Sequence, residues 1–297
     1  MSRTTHALLD MAAPAFCALL WLGRFPQWQT TLLSLFTALA AYTAVYALND
    51  LLGIKCDREK FAGAGISPGY AVEASAQRHP LAQGVLSVRS GVLWMGSWFG
   101  LALTGSYMLN PIIVLVLLAA AALEVIYCLL LKITHLRTLV SGLVKTSGPI
   151  AAILVVDHSP SRFLLLLPFA CLFFWEIGGQ NIPSDWNYTA EDARVNAKTI
   201  PILFGQEKAG RIIVVALAIS VISGGLLPLA SPARLGLLYV LASLLLGFFL
   251  LLRPALRLYR LKEGALAARL FDSASYYPLA QFALIAAFLA ADGLLGA

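Results

Sequence analysis

The sequence predicts an all-α fold, a polytopic membrane bundle of about nine transmembrane helices. Three observations carry that reading. Of 297 residues, 60% are hydrophobic and 12% are Asp, Glu, Lys or Arg, roughly half the charged share of a soluble domain. The mean hydropathy is +0.81. The apolar residues also gather into runs long enough for a helix of about 20 residues to cross a hydrocarbon core, and none alternates like a barrel strand. Because each span in lipid must satisfy its own backbone hydrogen bonds, helices are the solution that remains. One domain over residues 1–297 accommodates all of it.

The spans fall near 7–23, 29–52, 85–108, 111–131, 138–157, 162–180, 210–230, 235–252 and 275–296. The first carries Asp10 and Pro14 and is followed by further spans, so it reads as an uncleaved helix and not as a secretory signal. Cations orient the rest. Lys55, Arg58, Lys60 and Arg78 follow the second span, Lys132 and Arg137 the fourth, Arg194, Lys198 and Lys208 the sixth, and Arg253, Arg257, Arg260, Lys262 and Arg269 the eighth. Only Arg24, Arg162 and Arg234 fall on the other face, which places the N-terminus in the cytoplasm. The formal charge of +6 is then an orientation signal toward the lipid bilayer and no evidence for a nucleic-acid partner. The long connections 53–84 and 181–209 lie on the cytoplasmic side as caps over a site, whereas the outward turns near 109, 158 and 232 are tight. Cys17, Cys56, Cys128 and Cys171 have no CxxC spacing and read as small core residues.

Within Tyr46–Lys60 an apolar helix turns abruptly into carboxylates and cations. A carboxylate at the edge of a lipid-embedded helix is costly unless it faces a polar cavity or a cation. Steps of four residues drift by only about 40° on a helix, so Asn49, Gly53 and Asp57 share one stripe. A second cluster of this kind, Asn181, Asp185, Glu191 and Asp192 with Lys198 after it, follows the sixth span. Two oxygen-rich clusters followed by cations suit Mg²⁺ and a diphosphate, because Mg²⁺ takes one or two carboxylates per ion and shares substrate phosphates. Asn49, Asp57, Asp185 and Asp192 are the expected metal ligands, with Asp50 and Asn181 as supporting or alternate ones. Arg78, Lys132 and Lys198 are the expected contacts of the leaving phosphate oxygens. Taken singly, Asp57, Arg78 and Lys132 read by default as solvated or snorkelling side chains, and it is their joint pattern that points to a site.

Four ordered motifs between about residues 40 and 210 resemble the UbiA superfamily of intramembrane prenyltransferases. Asn49-Asp50-x-x-Gly53-x-x-x-Asp57 matches its first acidic motif in all but the middle acid. Arg78-His79-Pro80-Leu81-Ala82-Gln83-Gly84-Val85-Leu86-Ser87 matches its Arg-x-Pro-Leu stretch, and Tyr127 and Lys132 match the Tyr and Lys that end its fourth helix. Asp185 and Asp192, with Asn196-Ala197-Lys198-Thr199-Ile200-Pro201, match its second acidic motif. The resemblance implies Mg²⁺-dependent transfer of a prenyl group from an allylic prenyl diphosphate to an aromatic or quinone-precursor acceptor. It also adds Tyr127 to the substrate-binding set.

Three departures stand out. Gly53 removes the middle acid. It reads either as a continuing helix that lacks one ligand or as a glycine ending the helix. Asp185 and Asp192 are separated by six residues where the family has three, so the segment between them must bulge or wind an extra turn. The connection from Lys60 to Gln77 is long and glycine-rich, like a lid. Glu124 and Glu176 are costly within spans and are expected to face the cavity or a neighbour, and Lys145 to meet a carboxylate on another span. Of the aromatics Phe36, Tyr42, Tyr46, Trp94, Tyr107, Tyr127, Phe173, Phe174 and Trp175, a few facing inward would stabilise an allylic cation. The readings that compete with catalysis are an altered family member and a membrane transporter or lipid-binding protein. A transporter would place its helix breaks near mid-membrane.

Overall fold

Every one of the nine apolar runs carries a helix in the computed structural model, which describes residues 1, 3–61, 72 and 79–295. Arg78, and with it most of the connection expected to form a lid, lies outside the described residues. Helices α1 (Thr4–Asp10) and α2 (Ala12–Leu22) form the first rod, broken at Met11. They are followed by α3 (Trp28–Phe61), α4 (Val88–Leu109), α5 (Pro111–Leu129) and α6 (Arg137–Val156). The sixth rod begins as α7 (Leu166–Trp175), passes through a π-helical turn at Glu176–Asn181 and continues as α8 (Ile182–Asn187). After α9 (Thr189–Arg194) come α10 (Ile200–Leu226), α11 (Gly236–Gly247) leading through a second π turn into α12 (Arg253–Leu261), and α13 (Gly264–Leu295).

Among the described residues no strand occurs, and 7 helices are long and apolar enough to cross a membrane. The other two rods are α4, diluted by Gly and Ser, and the interrupted α7–α8. Several helices outrun the apolar segments that announced them. The second span was expected to stop at residue 52, yet α3 runs through Gly53 to Phe61, because Lys, Arg and Glu are good helix formers once the chain leaves hydrocarbon. Likewise α13 starts at Gly264 rather than near 275, and the stretch 181–209, read as a loop, holds α8, α9 and the start of α10. All four cysteines are free, as their spacing implied.

The packing is uneven. The main core joins α2, α6, α7 and α10–α13 around Phe16, Trp21, Ile153, Trp175, Leu217, Tyr239 and Tyr277. A smaller cluster, Ala40, Ala102 and Leu117, joins α3, α4 and α5. Small residues allow close approach where side chains cannot interleave. A Cβ on Gly105 would collide with Thr37 across the α3–α4 contact, and one on Gly178 would stand 2.9 Å from the Ile213 carbonyl of α10. Between the two packed groups lies the space that becomes the site.

A buried charge ties α1 across that space to α6. Lys145 Nζ donates to Asp10 Oδ2 at 2.6 Å, and the Tyr46 hydroxyl donates to the same oxygen. This supplies the carboxylate that Lys145 was expected to find on another span. Removing one partner leaves an uncompensated buried charge. Lys145→Met is therefore expected to lower stability in detergent micelles by about 3–5 kcal/mol, and adding Asp10→Asn should restore most of it. Chemical unfolding of the two variants checks this.

Candidate active site at one end of the bundle

A cavity of about 610 Å³ runs between α3–α5 and the main core. Its lining includes Thr31 and Asp57, which are twenty-six residues apart on α3. At 1.5 Å per residue they span about 39 Å, more than the ~30 Å of a hydrocarbon core. One end is lined by Phe25, Leu35, Leu109, Ile113 and Val155, and the other by Asn49, Asp57, Asn181, Asp185 and Asp192. The two acidic motifs therefore meet at a single site.

Their meeting is held by ion pairs across the gap. Lys60 Nζ, one turn beyond Asp57, lies 2.6 Å from Asp192 Oδ1, and Arg194 donates to the Lys60 carbonyl at 3.0 Å. Arg137, at the start of α6, donates to both oxygens of Asp185 at 3.0 and 3.4 Å. Its guanidinium carbon stands 4.1 Å from the centre of the Tyr127 ring, a cation–π arrangement that keeps the planar group in place. Asn181 accepts from Thr138 at 2.8 Å and donates to the Tyr127 hydroxyl at 3.1 Å. Asn49 donates to Glu124 Oε1 at 2.6 Å, so Glu124 faces the cavity and satisfies an amide from α3.

Burial raises the Asp185 carboxyl to about 6, with the Arg137 guanidinium opposing the rise and Asp192 adding to it. A further cation beside it would favour the ionised form.

Gly53 resolves in favour of a continuing helix. The Asp57 carboxylate folds back into the room that glycine leaves, with Oδ2 2.8 Å from where a Cβ would stand. It also lies 2.8 Å from His79 Nδ1. The six residues between Asp185 and Asp192 are absorbed by a break at Tyr188, where α8 ends and α9 begins, and both acids still line the cavity.

Three expected residues sit elsewhere. Asp50, which projects about 100° from Asn49 on the helix, sits behind the cavity lining, 3.1 Å from Arg3 and 3.6 Å from His79, both of which line it. Lys132, expected at the leaving phosphate oxygens, follows α5 in a 3₁₀ turn at Leu130–Lys132, which rotates it out of the cavity lining. It pairs instead with exposed Glu59 at 2.8 Å. Lys198 follows Asn196, whose φ of 55° reverses the chain, and is exposed outside the lining. Lys60 and Arg137 line the acidic end, although neither was among the expected phosphate contacts. Of the nine aromatics considered, Tyr42, Tyr46 and Tyr127 line the cavity, while Phe36, Trp94 and Tyr107 point outward.

Among the described residues, no three His, Cys, Asp or Glu side chains come close enough to hold a metal ion together. Each acid is instead held by its own neighbour: Asp57 by His79, Asp185 by Arg137 and Asp192 by Lys60. The donor chemistry nevertheless fits a hard divalent ion, since Asn49, Asp57, Asp185 and Asp192 present oxygen to one cavity.

Comparison with known proteins places this geometry. Residues 11–290 match the model of the UbiA prenyltransferase family. The fold resembles that of a UbiA homologue from Aeropyrum pernix K1, with a TM-score of 0.72 at 17% identity over 97% of this chain and 98% of that one. A UbiA homologue from Archaeoglobus fulgidus, bound to DMAPP and Mg²⁺, gives 0.66 at 16% identity over 96% of both chains. A structure of digeranylgeranylglyceryl phosphate synthase gives 0.66 at 14% identity over 98% of this chain and 100% of that one. None of the curated proteins matches in sequence.

Arg137→Lys keeps the charge but loses the fork on Asp185 and the plane over Tyr127. It is expected to lower unfolding stability by about 1–3 kcal/mol, and Arg137→Met, which strands the buried acid, by about 3–5 kcal/mol. Melting of the detergent-solubilised variants reads the difference.

Proposed function

The chain belongs to the UbiA prenyltransferase family, and on that premise we propose that it transfers a prenyl group from an allylic prenyl diphosphate to an aromatic or quinone-precursor acceptor, with Mg²⁺ as cofactor and diphosphate as leaving group. One observation carries the reading: acids from both motifs line one end of a cavity whose other end is apolar. A diphosphate headgroup suits the first end and an isoprenoid tail the second. The relative bound to DMAPP and Mg²⁺ shares the fold and supports the same pairing of ligand and metal here.

Asn49, Asp57, Asp185 and Asp192 would hold the metal, which when bound supplies the positive charge that makes diphosphate a leaving group. Arg137 and Lys60 lie beside these acids and supply N–H donors to phosphate oxygens, a contact that strengthens as the C–O bond breaks. Tyr127 presents its ring on the adjoining wall, Asn181 fixes its hydroxyl, and both assist substrate positioning. Tyr42 and Tyr46 line the cavity beyond, where their rings shield an allylic cation from water. The cations that follow the even-numbered spans support placing the acidic end, capped by the segment 181–209, in the cytoplasm.

Asp185→Asn is expected to lower Mg²⁺-dependent diphosphate release per folded protein by about 100-fold or more, and to lower stability by about 3–5 kcal/mol because the buried Arg137 loses its carboxylate. Full activity in that variant would refute the metal role. Gly53→Ala would push its Cβ against Asp57 and displace that carboxylate, so the Mg²⁺ concentration giving half-maximal rate should rise about tenfold. Metal titration of diphosphate release measures it.

A further inference from the structure

Beyond the acidic end, the cavity wall carries a second set of buried polar groups that diphosphate chemistry does not use. Glu176 is 6% exposed and lines the cavity. Ser141 donates to its Oε1 at 2.6 Å, whereas Oε2 is buried with no hydrogen-bond partner. A buried carboxylate oxygen left unmatched costs several times what a satisfied one does. Lys145 lies near enough to attract Glu176 but gives its hydrogen bond to Asp10. The lysines and arginines described in the lining are each committed elsewhere: Arg3 to Asp50, Lys60 to Asp192, Arg137 to Asp185 and Lys145 to Asp10.

The backbone gives a second, independent reason. Glu176 opens the π-helical turn Glu176–Asn181, which interrupts the α7–α8 rod and brings Glu176, Gln180 and Asn181 to the cavity wall. Single π turns inside helices are unfavourable and concentrate at functional positions. Asn181 serves the diphosphate end through Tyr127, and Gln180 donates to Ser275 at 3.0 Å. Within the turn, Glu176 Oε2 is the side-chain atom that is fully buried without a partner. Glu176 lies nine residues before Asp185, roughly 13 Å up the rod at a helical rise.

We propose that Glu176 is the acceptor-binding residue, its Oε2 receiving the hydroxyl hydrogen of a neutral, hydroxyl-bearing aromatic ring, and that the site rejects acceptors carrying a carboxylate. The proposal rests on the prenyl-transfer reading above and names the substrate class of that same cavity. A second carboxylate brought by the acceptor would face Glu176, Asp10 and Glu124, with no uncommitted lysine or arginine among the described lining residues to balance it. Glu176 makes and breaks no covalent bond; it fixes which way the ring faces the prenyl carbon.

Two acceptors that differ by one group, hydroquinone and 2,5-dihydroxybenzoate, test this on the full chain in detergent with geranyl diphosphate and Mg²⁺. The wild-type protein is expected to prenylate hydroquinone with kcat/KM at least about tenfold higher. Glu176→Met should raise the KM for hydroquinone about tenfold or more, the worth of a hydrogen bond to a charged group, and leave the KM for geranyl diphosphate within about twofold. Equal use of both acceptors by the wild type would overturn the assignment without recourse to a variant. So would an unchanged hydroquinone KM in Glu176→Met. Diphosphate release that persists in those cases leaves the prenyl-transfer reading intact, whereas wild-type protein that releases no diphosphate with either acceptor overturns both.

Discussion

Buried charge governs this molecule. A bundle embedded in lipid can hold a carboxylate at its core only opposite a cation or a donor, and the partner must come from elsewhere in the chain because a helix offers few polar neighbours of its own. Four such pairs recur: Asp10–Lys145, Asp50–Arg3, Asp185–Arg137 and Asp192–Lys60. Each joins segments far apart in sequence. Between them they fasten α1 to α3 and α6, α6 to α8, and α3 to α9. The apolar contacts of such a protein are nearly indifferent to which helix meets which, since lipid tails are as apolar as leucine. The ion pairs supply the discrimination.

The same pairs prepare the site. Lys60 and Arg137 hold Asp192 and Asp185 in place at the acidic end of the cavity, so the acids of both motifs already face one space. An incoming diphosphate with its counter-ions brings the two charges that such pairs can exchange for: anionic oxygens for the cations and a metal for the carboxylates. Preorganisation of this kind lowers the reorganisation needed at the moment of bond breaking. Gly53 belongs to that arrangement. Where the related motif has an acid, this chain leaves room, and the Asp57 carboxylate occupies it.

The π turn at Glu176–Asn181 has the opposite character, a local irregularity within one rod. It serves two levels of the cavity at once, placing Asn181 against Tyr127 at the acidic end and Glu176 farther along the wall. Gly178 sits within it at 2.9 Å from the Ile213 carbonyl, measured from a virtual Cβ, so the rod can bend only because α10 is allowed to come that near. Packing of the main core and geometry of the site are thus linked through one turn.

Much of this was legible in the residues alone. Hydropathy and the lack of strand alternation determined the helical membrane bundle, and the motif residues Asn49, Asp57, Asp185 and Asp192 stood out because carboxylates and amides at apolar helix ends are costly unless a cavity or a partner receives them. The sequence also required Lys145 to find an acid on another span. Only the tertiary structure decided that the acid is Asp10, that Arg137 and Lys60 rather than Lys132 and Lys198 line the site, and that Asp50 sits behind Arg3 and His79. The physical reason is angular. Spacing along a chain fixes rotation only while the helix stays α, and a 3₁₀ turn at Leu130–Lys132, a left-handed Asn196 and a π turn at Glu176–Asn181 each reset it. Which cation reaches which carboxylate is then settled by how the rods pack, a long-range outcome that no local pattern encodes.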